Sequence, residues 1–269
     1  MIIPFNLTAT NEFGTSMVLS GQTPEFLVEY SGFDAPQMNM MSIDLYNMDG
    51  AMYQGSKAQP RSIILDAYIF NHVTFWRTKL YETFIAGKEV TLRYEKDGNV
   101  RLITGVVDKI TTPQFEQPQR GRQNVQIGLV CYDPWWRSPD HVFELSAIGS
   151  GNPLNIVYQG QYPSGIKAVI TANASIYAPI ISVIKDGVEE MVALDLTLSA
   201  GDSANIDTDK KTLTVTSNGT TTNAIASWYR GGQWIKLKPG ENYMVVTSIT
   251  GNANSASAVI RYSDLYQGV

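Results

Sequence analysis

The chain has 269 residues, 43% hydrophobic and 17% charged, with 20 Lys and Arg against 25 Asp and Glu for a formal net charge of -5. That length lies within the range of one large all-β domain but suits two domains better, and the composition is that of a globular chain rather than a disordered one. The negative balance excludes a general affinity for nucleic acid, which needs clustered Lys and Arg; the short apolar runs exclude a membrane span, which takes about 20 apolar residues.

The opening MIIPFNLTATNEFG has no basic stretch followed by an apolar one, so export through a signal peptide is not expected. Next comes QMNMMSIDLYNMDGAM, with Met38, Met40, Met41, Met48 and Met52. Thioethers bind Cu(I), but no Cys or His stands beside them, and flexible Met side chains suit packing or a subunit contact. Ile63, Leu65, Ala67 and Ile69 then alternate with Ile64, Asp66, Tyr68 and Phe70, the period of a strand with one buried face.

The segment HVTFWRTKLYETFIAGK, residues 72–88, changes period. Trp76, Leu80 and Phe84 recur every four residues with Val73 in phase, which predicts a helix with one apolar stripe and Gly87 as its C-terminal stop. A hairpin follows in TLRYEKDGNVRLITGVV, residues 91–107, with Asp97 and Gly98 at its tight turn. In QRGRQ, Arg120 and Arg122 form the nearest thing to a basic cluster and read as solvated charges at a turn. Val125, Ile127, Leu129 and Cys131 restore the strand period. The single cysteine cannot form an internal disulfide and reads as a core thiol in a reducing compartment.

VCYDPWWRSPD, residues 130–140, places Trp135 and Trp136 between Pro134 and Pro139. Such a cluster lines a binding pocket or anchors the end of one folded unit. The prolines stop the strand, and IGSGNP, residues 148–153, supplies a turn segment soon after, so a domain joint at Pro134, Trp135 and Trp136 is the preferred reading. From residue 153 short strand-like runs recur with turn residues between them, including Lys185-Asp186-Gly187 and Asn218-Gly219, the pattern of a β-sandwich. Val192, Leu194, Leu196 and Leu198 alternate within it. The expected architecture is mainly β: a first domain over 1–140 with one helix, and an all-β second domain over 141–269.

Little in the chain promises catalysis. His72 and His141 lack the spacing of a zinc pair, and neither a nucleophile elbow nor a phosphate-binding loop occurs. Asp202, Asp207 and Asp209 lack the further ligands of a calcium loop. No enzyme activity, cofactor or metal is expected. The best small-ligand candidate is ASWYRGGQWIKLKPGEN, where Trp228, Tyr229 and Trp234 offer stacking faces for a sugar, against the plainer reading of core aromatics. A carbohydrate-binding module for host-wall recognition is therefore the alternative function.

Several stretches in order carry a family resemblance. NMDGAMYQGSKAQPRSIILDAYI, residues 47–69, leads into a strand, then the helix, EVTLRY and RLITGVVDKI. IGLVCYDPWWRS ends the first half. NIDTDKKTLTVTSNG, WIKLKPGENYM and IRYSDLYQGV close the chain. Together they resemble the distal tail (Dit) proteins of long-tailed, siphovirus-type phages and prophages. That resemblance implies an N-terminal belt domain with a helix and a protruding hairpin, and a C-terminal galectin-like β-sandwich. It implies a virion structural protein, made in the bacterial host cytoplasm and placed at the tail tip. Six copies would form a ring between the tail tube protein and the tail-associated fibre or lysin protein, with receptor-binding proteins as further partners and DNA only passing through. Hairpin 90–110, tipped by Asp97 and Gly98, and the segment holding Arg120 and Arg122 would then reach a neighbouring subunit.

Overall fold

The structure, a computed structural model, describes residues 5–19, 26–46, 49–112, 123–148, 153–250 and 253–269. The chain divides into two compact units, Met1–Ser138 with Tyr266–Val269, and Pro139–Leu265.

The first unit is built on an antiparallel sheet. Its strands are β1 (Asn6–Asn11), β2 (Ser16–Val18), β3 (Phe26–Ser31), β6 (Arg61–Ile69), β7 (Glu89–Lys96), β8 (Asn99–Thr111) and β9 (Gln123–Cys131), in the order β2-β1-β7-β8-β9-β6-β3. Among the described residues the strands β4 (Met38–Asp44) and β5 (Ala51–Ala58) pair only with each other. A short β10 (Trp136–Arg137) joins β8 at Arg137 and Leu102. The predicted alternation holds: Ile63, Leu65, Ala67 and Ile69 are buried beside Val125, Ile127, Leu129 and Cys131. Because side chains alternate across a strand, these two pairing strands share one buried face.

The single α-helix among the described residues, α1 (Val73–Thr83), packs on the same core. Leu80 and Phe84 are fully buried, while Val73 and Trp76 are partly buried against the same core, with Trp76 stacked on Phe26 at 4.8 Å. The helix stops sooner than Gly87 suggests. Phe84 is already extended, and its N–H closes the last turn on the Leu80 carbonyl. Gly87, at φ 77°, instead turns the chain into β7, its N–H donating to the Val107 carbonyl.

The last four residues belong to this first unit. Arg101 lies over the Tyr266 ring at 3.5 Å, and the buried Arg61 donates from Nη2 to the Gln267 carbonyl at 2.7 Å. Burial holds the Arg61 guanidinium below its ordinary pKa.

The second unit is a β-sandwich. One sheet takes β11 (His141–Leu145), β13 (Lys167–Ala172), β17 (Ser203–Asp207), β18 (Thr212–Ser217), β19 (Thr220–Asn223) and β21 (Ala256–Tyr262), in the order β11-β21-β13-β17-β18-β19. The other takes β12 (Leu154–Tyr158), β14 (Ile176–Lys185), β15 (Val188–Ala193) and β20 (Gly240–Thr250), in the order β12-β20-β14-β15, with β16 (Thr197–Leu198) on β14. A final β22 (Leu265–Tyr266) stands at the boundary where the chain returns. Both sheets contribute inward side chains to one core, among them Tyr158, Ile181 and Met244 from one and Ile170, Ile206 and Ile260 from the other.

Three two-residue turns fall where the sequence placed them. Asp97-Gly98, Asp186-Gly187 and Asn218-Gly219 all have positive φ at both positions, the geometry whose twist matches paired strands. The alternation over 192–198 is not one strand. Pairing on β15 stops at Ala193 and resumes on β16 at Thr197, so Leu194–Leu196 runs between two strands.

Candidate functional site

The residues that carry most chemistry elsewhere are used here for folding. Cys131 is fully buried, and burial pushes its thiol up to about 11, so it stays a neutral core side chain at ordinary pH. His72 caps α1 in the left-handed conformation, at φ 48°. His141 is more than a surface histidine: its Nε2 lies 2.9 Å from Asp264 Oδ2, and its ring stacks on Tyr262 at 4.8 Å. The other Asp264 oxygen accepts from the Gln159 N–H, which satisfies a nearly buried carboxylate. Asp202, Asp207 and Asp209 accept backbone N–H groups of Ser199, of Asp209 and Lys210, and of Gly165, which is turn chemistry. Among the described residues no three His, Cys, Asp or Glu side chains group as a metal site.

The DPWW stretch packs inward. Pro134 and Trp136 are buried, and Trp136 meets Phe33 edge-on at 5.0 Å. Trp135 is half-buried, and Asp133 holds the bend by accepting from Arg137 Nε and Nη2 at 3.0 and 2.7 Å. These residues fill the first unit's core just before the boundary at Ser138.

The hairpin that stands apart from the sheet is not the one at 90–110. There β7 is flanked by β1 and β8 over Val90–Glu95, and β8 pairs with β7 over Asn99–Val106, with β10 at Leu102 and with β9 over Val106–Thr111, so the hairpin is part of the sheet. Asp97 and Gly98 form its turn, and Arg120 and Arg122 lie outside the described residues. The separate hairpin is β4–β5, which carries the methionines. Its register runs from Met38 opposite Ala58 to Asp44 opposite Ala51, with a bulge between Met41 and Ser42. Met40, Met41, Ile43, Met52 and Tyr53 on it are all exposed, Met40 and Tyr53 each to 64%. Met48 lies outside the described residues. The sequence offered the methionines as packing or a subunit contact and gave no sign of the arm, because a strand without a buried face shows no alternation.

The aromatic stretch 228–234 divides in two. Trp228 and Trp234 stack on each other at 4.1 Å and pack against the sandwich core. Tyr229 is half exposed and lines an open groove of about 340 Å³ with Tyr177, Asp195, Ile249 and an apolar floor that includes Ala178 and Leu194. The Tyr177 hydroxyl donates to Asp195 Oδ1 at 2.6 Å, and that hydrogen bond with the carboxylate charge raises the phenol's pKa.

Residues 159–266 match the family model described as the siphovirus-type tail component, C-terminal domain. Comparison with curated proteins gives no match. Among solved structures, the Dit protein of phage SPP1, a paradigm of the hub adsorption apparatus in phages infecting Gram-positive bacteria, is similar over 96% of this chain and 98% of its own, with a TM-score of 0.68 and 14% identity. Chains of the phage P2 baseplate in its activated conformation are similar over the full length of both partners. With calcium the TM-score is 0.52 at 11% identity, and with strontium 0.51 at 10%. At such identities the structural likeness speaks for the fold alone. The second unit thus carries, over residues 159–266, a match to the C-terminal domain of siphovirus-type tail components, and nearly the whole chain has the fold of the SPP1 Dit protein.

Proposed function

We propose that this chain is a structural hub of a phage tail, closing into a ring of six identical copies at the tail tip. In this reading the ring joins the tail tube protein above to the tail-associated fibre or lysin protein below, and carries receptor-binding proteins. DNA passes through it without being held, which suits a chain of net charge -5.

The observation that carries the reading is the β4–β5 arm. A two-stranded hairpin by itself is marginally stable in water, and this one exposes methionine, isoleucine and tyrosine along its length. Met side chains adapt to a surface they are laid against. A second copy is a suitable surface, because one heterologous contact repeated around an axis closes a ring. The arm then gains a third layer, and each copy both gives an arm and receives one.

Light scattering and negative-stain imaging of the purified chain test this. The expected particle is a ring of six copies of the 29.7 kDa chain, about 180 kDa. A particle that stays monomeric at high concentration, and still fails to form rings when mixed with tail tubes, overturns it.

A further inference from the structure

We propose that the groove beside Tyr229 is a saccharide-binding site, built by a break in the second sheet of the sandwich. The inference is independent of the ring, since it rests on the second unit alone.

The groove has a cause in the strand register. On β14, Tyr177 pairs with Thr197 of β16, and pairing with β15 starts only at Ile180 opposite Ala193. Ala178 and Pro179 fall in between. Ala178 takes the left-handed conformation at φ 50°, unusual for alanine, and Pro179 has no N–H to give. The facing stretch Leu194–Leu196 has three residues against these two and is pushed outward, still tied by Ala178 N–H to the Leu196 carbonyl and Leu194 N–H to the Pro179 carbonyl. The small Ala178 and the buried Leu194 make an apolar floor where a continuous sheet would have none.

The walls are set in place by the same break. Tyr229 is held by its own N–H to the Ala193 carbonyl, and the chain folds back over its ring: a Cβ on Gly231 would lie 2.8 Å from Tyr229 Cε1. Asp195 is fixed by its N–H to the Ser227 carbonyl and by the Tyr177 hydroxyl. Tyr177 in turn is anchored by its N–H to Thr250 Oγ1. Two oriented tyrosines and one oriented carboxylate thus surround an apolar floor.

The chemistry selects the ligand. Among the described residues the one charge lining the groove is the negative Asp195, so anions are disfavoured. Asp195 is exposed at the rim and already accepts one phenol, so a cation on the apolar floor would sit away from its counter-charge. A pyranose matches both levels. Its C–H face lies on the floor and on a tyrosine ring, and its hydroxyls donate to the remaining carboxylate lone pairs in charge-assisted hydrogen bonds. The volume is near the small end of ligand sites, roughly 300–1,000 Å³, as one or two sugar rings require.

The test is ligand-observed saturation-transfer NMR on the full chain with the methyl glycosides of glucose, galactose, rhamnose and N-acetylglucosamine. At least one should receive saturation on its ring C–H protons. Tyr229→Ala and Asp195→Asn should each weaken it tenfold or more with thermal unfolding unchanged. Gly231→Ala, which displaces the Tyr229 ring, should weaken it too, and Tyr243→Ala, an exposed tyrosine outside the groove, should not. Absence of transfer to all four sugars overturns the proposal, as does transfer that survives both Tyr229→Ala and Asp195→Asn. Preferential binding of n-butylammonium at the groove also overturns it and makes the site a cation receptor.

Discussion

The Cys131 sulfur occupies the space that a side chain at position 105 would need. A Cβ on Gly105 would lie 2.8 Å from Cys131 Sγ and 3.3 Å from the Leu129 Cβ. Glycine on β8 and a small thiol on β9 therefore form one packing unit in the first core. Gly105→Ala should destabilise the chain by about 1–3 kcal/mol through overpacking. Cys131→Ala added to it should restore part of that loss, and urea unfolding of the two single variants and the double variant should show the non-additivity.

The same thiol gives an alkaline prediction. Burial raises Cys131 from its ordinary value of 9.0 to about 11, and burial together with Asp264 raises Tyr262 from 10.0 to about 12. Both groups hold their proton more tightly folded than unfolded. Their stabilisation is complete below the unfolded values and lost as pH climbs through the folded ones. The melting temperature should fall between pH 9 and 11 on account of Cys131, and onward to 12 on account of Tyr262. Cys131→Ala should flatten the first part of that decline. Iodoacetamide should modify the wild-type thiol at pH 8 only after denaturant is added.

Arg61 ties the end of the chain to the first unit through the Gln267 carbonyl, with a longer bond from Nη1 to the Gly32 carbonyl at 3.4 Å. Removing Gln267–Val269 leaves a buried guanidinium short of an acceptor, at a cost of about 1–3 kcal/mol. Arg61→Met in the shortened chain should recover stability, because it removes the uncompensated charge. Chemical denaturation of the three proteins checks both signs.

The arm and the core should respond in opposite ways to substitution. Met40→Asp and Tyr53→Asp alter exposed positions and should change stability by no more than about 0.5 kcal/mol. Both should abolish self-association at concentrations where the wild type forms rings, as read by sedimentation velocity. Trp136→Ala, in the packed core beside Phe33, should instead cost about 3–5 kcal/mol. If the arm variants form rings as well as the wild type, the arm is not the subunit contact.

Much of the fold was legible because its signals are local. Ile63 to Ile69 and Val125 to Cys131 announce their buried face by alternation alone, and Asp97-Gly98 announces a turn because few residues tolerate positive φ. The helix was legible from Trp76, Leu80 and Phe84, though not its end, which the early extended turn at Phe84 fixes before Gly87 is reached. The sites were less legible. The arm has no buried face to impose a period, and its bulge at Met41 and Ser42 breaks the register further. Trp228, Tyr229 and Trp234 looked alike in sequence, yet only Tyr229 faces the groove; Tyr177 and Asp195, its companions there, gave no sign of their pairing.

By itself the sequence determined which side of each core strand is apolar, where the tight turns fall, and that the one thiol belongs to a core. Those follow from side-chain period and backbone sterics within a few residues. Only the tertiary structure decided which of two hairpins stands apart: β7–β8 is drawn into the sheet because β1, β9 and β10 pair with it from distant parts of the chain, whereas among the described residues β4–β5 has no third strand. It likewise decided that the break at Ala178 lies opposite Leu194–Leu196 and opens the groove. Strand pairing is a choice among remote partners, and the free energy of that choice is written in the assembled sheet, not in either strand.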